Sequence, residues 1–287
     1  MDFDSLYEAK YEVEEAVDKA FELAKSYSPA NMRLFLAFGD YYEIFENTSV
    51  SPYVIDNVDD FRYDKNRIDF LTRYLQGHYE KPAFSYQGSD GIDCITIELM
   101  IYSQLWESDF FLKILARLAS LSIGGDYLWR PFQDEAPKKK GSNWNWIQQS
   151  VVHPLLENDV LLGKLINDCY CSNLRNSFAH SIYDINEQFR EIRYFSFNRP
   201  IQKRKRLLYP EKSHKISFDD FQVIFLKAAH LSYYVNACIS QCRDSELDKI
   251  DSVEIINLPN GKKAGVTVFR EFDVNRFGLE IYPLLIR

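Results

Sequence analysis

The sequence predicts a mainly α-helical protein with a basic β-hairpin in its second half and a short C-terminal β extension. Apolar residues recur at three- and four-residue spacing over most of residues 4–173, as in amphipathic and buried helices. Aromatic and β-branched residues are concentrated in residues 189–209 and again after residue 253, as in strands. Stretches that contain glycine and proline separate these segments and mark the connections.

The first quarter of the chain predicts three helices. Residues 4–27 form an amphipathic helix with an acidic outer face. Residues 31–46 form a second helix, and a polar connection that contains proline follows at 47–64. Residues 64–77 form a third helix, which we expect to end at Gly77 because glycine favours the left-handed conformation that closes helices.

The middle of the chain predicts a buried helical core. Residues 92–122 form the longest apolar run and are hydrophobic nearly all round, which is typical of one central buried helix or a pair of them. Loops are expected at Gly124-Gly125 and at 131–142, where a run of three lysines favours a solvated surface. Residues 143–156 and 157–173 form two more helices, and the second leads into a polar stretch.

The last third of the chain predicts strands around one long helix. Residues 189–197 and 203–209 form a hairpin joined by 198–202, and Ser217 caps a helix with one apolar face. Three further strands are predicted in the tail, at residues 253–258, 264–272 and 279–286. This last hairpin could cover a sheet edge, cap the core or support a dimer, and the sequence does not choose between these roles.

The composition is that of a folded chain. Its 287 residues are 46% hydrophobic and 15% aromatic, which is enough to bury a sizeable core. No run approaches the roughly 18 uncharged apolar residues that a membrane span needs, and the acidic start Met1-Asp2-Phe3-Asp4 lacks the core of a signal peptide. Five cysteines without a disulfide-scaffold spacing are expected to be reduced thiols. These observations favour a cytoplasmic protein with no membrane partner.

The charge is unevenly distributed along the chain. A net charge of −8 argues against general binding of polyanions. Residues 199–215 nevertheless contain seven basic residues and one acidic residue. They are either a solvated hairpin edge, where positive charge prevents strand addition, or an RNA-backbone contact through Lys203, Arg204, Lys205 and Arg206. Under the second interpretation, bases would stack on nearby aromatic rings if these are exposed: Tyr194, Phe195, Phe197 and Tyr209.

One polar stretch concentrates reactive side chains, and it runs from residue 173 to residue 181. The spacing of Arg175 and His180 alone is weak, because Arg73 and His78 repeat it elsewhere. Asn176, however, lies four residues before His180, which places the carboxamide and the imidazole on one helix face. Ser172 or Asn173 is expected to cap this helix, so that its first turn favours an anion beside the guanidinium.

The stretch Leu174-Arg175-Asn176-Ser177-Phe178-Ala179-His180-Ser181 resembles the signature of the HEPN superfamily of helical nucleotide-binding and ribonuclease domains. That signature is an Arg, a polar residue that is often Asn, three to five further residues, and His. The charged hairpin and Ser-Phe-Asp-Asp helix that follow are similar to HEPN domains of abortive-infection and toxin-like defence proteins. The resemblance covers residues 91–244 as a HEPN-like helical bundle. It leaves the N-terminal helical region, 1–90, and the C-terminal β extension, 245–287, without an assigned role.

The resemblance implies a metal-independent endoribonuclease that needs no cofactor. In such enzymes the RNA 2′-hydroxyl attacks its own phosphodiester and leaves a cyclic phosphate. His180 would be the general acid or base, Arg175 would bind the scissile phosphate, and Asn176 would position phosphate or imidazole. Imidazole and guanidinium suit these roles, because the first transfers protons at neutral pH and the second matches phosphate geometry. Ser181 and Tyr183 lie near enough in sequence to assist.

The resemblance also implies partners. HEPN domains often form homodimers in which two copies of the motif face each other across a cleft. RNA is the expected substrate, and an antitoxin or another component of a phage-defence system is an expected partner. No P-loop, HExxH or zinc-type cysteine pattern suggests a different chemistry. The scattered His153, His214 and His230 are not expected to form a metal site.

Two other interpretations stay open. The chain could be a catalytically silent HEPN module that binds RNA, a nucleotide or a partner protein. It could also be a helical scaffold in which His180 is a packed histidine and Arg175 a cation at a helix end. Replacing His180 with Ala separates the three, because it would abolish cleavage, alter binding only, or change stability only.

Overall fold

The computed structural model describes residues 3–49, 51–55, 58–78, 90–134, 146–196, 212–247, 254–258, 261–271 and 276–283. Within these ranges the chain is mainly helical and carries three small antiparallel sheets, which confirms the predicted mainly α class. None of the helices in these ranges is long and apolar enough to cross a membrane.

The helices follow the predicted order but are broken more often. In chain order they are α1 (Phe3–Tyr27), α2 (Pro29–Leu36), α3 (Val58–His78), α4 (Asp90–Leu105), α5 (Asp109–Ser122), α6 (Pro131–Asp134), α7 (His153–Glu157), α8 (Leu161–Cys169), α9 (Ser172–Ala179) and α10 (Phe218–Leu247). A 3-10 turn, Glu43–Phe45, follows α2, and a π-helical segment, Gln148–Val152, precedes α7.

The core is built around α1. Its apolar stripe, which includes the fully buried Val13, Val17 and Ala20, packs into a core shared with α5, α8 and α10. The stripe forms because apolar residues at three- and four-residue spacing share one helix face. Burial of a valine side chain stabilises the fold by about 1.5–3 kcal/mol relative to exposure. The predicted first helix is therefore confirmed.

The acidic face of α1 is partly paired with α10 instead of facing only water. Glu14 Oε1 lies 3.0 Å from His230 Nε2, and the Tyr234 hydroxyl donates to Asp18 at 3.1 Å. His230 is buried among the apolar residues of α10. This histidine therefore contributes to the packing of two helices, as expected from its apolar surroundings.

The predicted second helix, residues 31–46, is wrong beyond the end of α2. Phe38 takes a φ of 51°, and the N–H of Gly39 donates back to the last turn of α2 at 2.9 Å. A left-handed residue followed by such a bond closes a helix. The chain then forms a short hairpin of β1 (Asp40–Tyr41) and β2 (Tyr53–Val54).

The third predicted helix starts earlier than expected. The connection predicted at 47–64 contains β2 and the first turns of α3, so the loop is shorter than predicted. At its other end α3 ends at His78, which agrees with the predicted end at Gly77 to within one residue.

Residues 92–122 form a pair of helices, α4 and α5, which confirms the two-helix alternative. The hydroxyl of Ser108 accepts a hydrogen bond from the N–H of Phe111 at 3.3 Å and caps the start of α5. Trp106, in the connection, and Phe111 are fully buried. The break therefore turns the chain inside the core.

The helices predicted at 143–156 and 157–173 are broken into smaller pieces. Pro154 lies in the first turn of α7, where its missing N–H is not needed. Val160 is extended before α8, and α8 ends at Cys169. The polar motif consequently has a short helix of its own, α9.

The long predicted helix after the hairpin is confirmed as α10. The hydroxyl of Ser217 accepts from the N–H of Asp220 at 3.0 Å, which is the predicted cap. Phe221, Phe225 and Val235 on its apolar face are fully buried. Asp220 therefore contributes to the start of a helix, as predicted.

One three-stranded sheet lies between α9 and α10, and its strands are β3 (Tyr183–Asn186), β4 (Glu191–Ser196) and β5 (Lys212–Ser217). β4 confirms the strand predicted at 189–197, whereas β3 and β5 are not predicted. The strand predicted at 203–209 and its connection lie outside the described residues. The loop predicted at 131–142 is wrong over its first four residues, which form α6, and the rest of it lies outside the described residues.

The tail forms a second three-stranded sheet of β6 (Glu254–Asn257), β7 (Lys263–Glu271) and β8 (Arg276–Pro283), which confirms the predicted tail strands. Ile256, Val266 and Val268 belong to the main hydrophobic cluster. This sheet therefore covers part of the hydrophobic core.

Candidate functional site

The motif residues lie on α9, an eight-residue helix. Its N-cap is Cys171, which makes no side-chain capping bond, so the predicted cap at Ser172 or Asn173 is wrong. The buried Tyr102 of α4 holds this start instead. Its hydroxyl donates to the carbonyl of Cys169 at 3.0 Å and accepts from the N–H of Cys171 at 2.7 Å. One side chain therefore fixes the break between α8 and α9.

The C-terminal end of α9 is a left-handed turn directly after His180. Ser181 has a φ of 55°, and its N–H donates to the carbonyl of Phe178 at 3.0 Å. The N–H of Ile182 donates to the carbonyl of Ser177 at 2.7 Å. These two bonds form a Schellman closure, in which glycine is the commonest left-handed residue. His180 is the C-cap residue of this helix.

Asn176 and His180 keep the one-turn spacing that the sequence predicts. The N–H of His180 donates to the carbonyl of Asn176 at 3.1 Å. The Asn176 side chain is half-buried, and the His180 side chain is exposed. An imidazole is therefore open to solvent at the end of this helix, one turn from a carboxamide.

Arg175 is buried in an ion pair. Its side chain is 10% exposed, and Nη1 donates to Oε1 of Glu107 at 2.7 Å. Glu107 lies in the connection between α4 and α5, and its side chain is 49% exposed. Tyr170 lies beside this pair; burial raises the pKa of its hydroxyl, and the Arg175 charge opposes that rise. Arg175 Nε is buried and finds no hydrogen-bond acceptor in the described part of the chain.

Other side chains of the stretch pack α9 against the sheet. Ser177 is buried, and its hydroxyl donates to the carbonyl of Phe195 at 2.6 Å. The half-buried ring of Tyr183 lies 5.0 Å from the ring of Phe178. Of the predicted RNA contacts, Ser181 is exposed and Tyr183 is partly used in packing. The others lie outside the described residues: Lys203, Arg204, Lys205 and Arg206.

Tyr194 is buried, which corrects the expectation that a base could stack on it. Its ring stacks on His214, with centroids 5.1 Å apart and planes 14° apart. Its hydroxyl lies 3.7 Å from Cys171 Sγ, and burial raises its pKa. Side chains alternate across a strand, so Tyr194 faces the interior with Ile192. His214 lies on β5; Phe197 and Tyr209 lie outside the described residues.

Three residues that the sequence did not indicate help to build the site: Tyr102, Glu107 and Tyr170. A charged residue that interrupts an apolar run was the available signal for Glu107, because such a charge needs a partner. The partner, Arg175, is 68 residues away in sequence, and no local pattern indicates that contact. Among the described residues, no group of three His, Cys, Asp or Glu side chains is arranged to hold a metal ion.

Comparisons of the chain with protein-family models, with curated proteins and with solved structures found no match. The function is therefore inferred from the side chains of α9 and from the residues that contact them.

Proposed function

We propose that the chain is an endoribonuclease of HEPN type that cleaves RNA without a metal. The observation that carries the proposal is one short helix that bears both an exposed imidazole, His180, and a guanidinium, Arg175. An imidazole transfers protons near neutral pH, and a guanidinium binds phosphate through two parallel N–H groups. These two groups suit cleavage of a phosphodiester by its neighbouring 2′-hydroxyl, which needs proton transfer and stabilisation of charge on the phosphate.

In the proposed reaction, the RNA 2′-hydroxyl is the nucleophile. A base takes its proton as the O2′–P bond forms, the P–O5′ bond breaks, and an acid gives a proton to the leaving O5′. The products are a 2′,3′-cyclic phosphate and a 5′-hydroxyl. His180 acts as the base or the acid, Arg175 binds the phosphate and stabilises its developing charge, and Asn176 positions phosphate or imidazole.

The proposal includes a homodimer in which two copies of the motif face one another. The second His180 then supplies the other proton transfer, because one imidazole does not act as acid and base in the same step. Proposed RNA contacts are Ser181, Tyr183, Lys203, Arg204, Lys205 and Arg206. A role in phage defence or in a toxin–antitoxin system rests on the resemblance alone.

A second candidate function is binding without catalysis, by a HEPN module that holds RNA, a nucleotide or a partner protein. The burial of Arg175 favours this candidate. Its side chain is 10% exposed and already pairs with Glu107, so a scissile phosphate has to compete with a carboxylate. A module that only binds does not need the guanidinium to move.

The test is RNA cleavage by wild-type protein and by the His180→Ala variant. Each protein is incubated with mixed RNA in EDTA, and the ends of the fragments are identified. Wild-type protein is expected to leave cyclic phosphate ends, and the variant to be at least about 100-fold slower, because a general acid or base contributes roughly 10²–10⁴-fold. His153→Ala is the matched control, since His153 is also exposed, and it should cleave like wild type.

Circular dichroism establishes that each variant keeps its helices. Cleavage by His180→Ala at the wild-type rate contradicts the nuclease proposal. If no protein cleaves RNA, but the wild-type protein binds RNA or a nucleotide, the second candidate is supported instead.

A further inference from the structure

We infer that Glu107 is a carboxylate latch on Arg175, which occupies the edge of the guanidinium that an RNA phosphate has to take. The inference rests on the proposed function, because that proposal assigns phosphate binding to Arg175. It adds a regulatory contact to the site: the strength of one ion pair sets how readily RNA reaches the guanidinium.

The latch joins two elements that are distant in sequence. Arg175 comes from α9, and Glu107 comes from the three-residue connection between α4 and α5. The distance from Nη1 to Oε1 is 2.7 Å, which is typical of a strong, charge-assisted hydrogen bond. A carboxylate oxygen and a phosphate oxygen use the same donors of a guanidinium, so they compete for this position.

Arg175 and Glu107 differ in burial, so water reaches one side chain of the ion pair more than the other. The Arg175 side chain is 10% exposed, whereas the Glu107 side chain is 49% exposed. The guanidinium of Arg175 is therefore buried in the protein, whereas the carboxylate of Glu107 is in contact with water. A half-exposed carboxylate loses little by returning to water, so an incoming phosphate can displace it.

The other close neighbour of the guanidinium carries no charge. Tyr170 is a neutral hydroxyl whose pKa burial raises, and the charge and hydrogen bond of Arg175 oppose that rise. Glu107 is the acidic residue that pairs with Arg175. Removal of its charge leaves a buried cation without compensation, which increases the attraction for any anion that reaches it.

The test measures how tightly the full chain binds two probes, inorganic phosphate and a short 2′-O-methyl RNA whose blocked hydroxyl prevents cleavage. Glu107→Gln keeps the size of the side chain and removes its charge. We expect it to bind both probes about fivefold more tightly, because the charge removed is close but partly screened by water. Glu157→Gln is the matched control: Glu157 is exposed on α7, and this variant should bind like wild type.

A second variant covers the case in which Glu107→Gln does not fold. Glu107→Asp keeps the charge but draws the carboxylate back by one methylene, so its affinity should lie between those of wild type and Glu107→Gln. Damage to the fold would weaken binding of the probes. Tighter binding by a Glu107 variant is therefore evidence that Glu107 competes with the probe for Arg175.

Two results distinguish failure of the latch from failure of the phosphate role of Arg175. If the Glu107 variants bind no more tightly than wild type while Arg175→Ala loses both probes, the latch is wrong and the phosphate role of Arg175 stands. If Arg175→Ala binds both probes as tightly as wild type, the phosphate role of Arg175 in the proposed function is wrong, and the latch with it.

Discussion

Ser181 ends the motif helix with a left-handed backbone, at a φ of 55°. This conformation costs an L-residue other than glycine roughly 1–2 kcal/mol. Residues held in this way by their surroundings cluster at functional sites. Here the turn fixes the path of the chain immediately after His180, and so it helps to fix the position of the imidazole at the end of the helix.

We predict that Ser181→Gly stabilises the protein by about 1 kcal/mol, because glycine adopts the left-handed conformation without a steric cost. The free energy of unfolding is measured by urea denaturation. The control is Ser172→Gly in the first turn of α9, where glycine should destabilise by about 0.5–1 kcal/mol. If Ser181→Gly is no more stable than wild type, the turn is not strained.

The sequence predicted the composition of the candidate site but not the direction of its side chains. One-turn spacing places Asn176 near His180 whatever the rest of the fold, and the hydrogen bond between their backbones agrees with it. Whether Arg175 faces water or the interior depends on Glu107, 68 residues away. Local periodicity contains no information on such a contact, and the burial of Arg175 was therefore not foreseen.

At the scale of elements, the Tyr102 hydroxyl joins α4 to the break between α8 and α9. We predict that Tyr102→Phe lowers the free energy of unfolding by about 1–3 kcal/mol, because it leaves a buried carbonyl of Cys169 and a partly buried N–H of Cys171 without this partner. Urea denaturation measures the loss.

Tyr233→Phe is a suitable comparison for this prediction. Tyr233 is half-buried and its ring lies 5.9 Å from His230, a contact that phenylalanine keeps. Tyr233→Phe should therefore lower the free energy of unfolding by no more than about 0.5 kcal/mol. Equal stability of Tyr102→Phe and wild type would mean that the hydroxyl does not hold the start of α9.

Elements with a strong local pattern were predicted well. α1, α10 and the pair formed by α4 and α5 have long apolar stripes, and Ser217 is a clear cap signal. The errors lie at helix ends and in strand pairing. Phe38 closes α2 in a conformation that phenylalanine rarely adopts, and β3 forms because β4 offers it an edge. Both depend on tertiary contacts that override local preference.

At the scale of the whole molecule, the hydrophobic core contains residues from inside and from outside the segment that resembles HEPN domains. That resemblance covers residues 91–244, yet α1 packs into the same hydrophobic cluster as α5 and α10. Glu14 and His230, which join α1 to α10, are 216 residues apart in sequence. Sequence periodicity shows which face of a helix is apolar, but it does not show which faces meet.

The measurement that tests the central claim most directly uses one RNA substrate in two forms. An oligoribonucleotide that the wild-type protein cleaves at one position is also made with a single 2′-deoxy nucleotide on the 5′ side of that position. We predict that in EDTA the ribonucleotide form is cut to a cyclic phosphate and the deoxy form stays intact, with Arg175→Ala and His180→Ala at least about 100-fold slower than wild type on the ribonucleotide form. Cleavage of the deoxy form, or a wild-type protein that leaves every RNA intact, would contradict the proposed reaction.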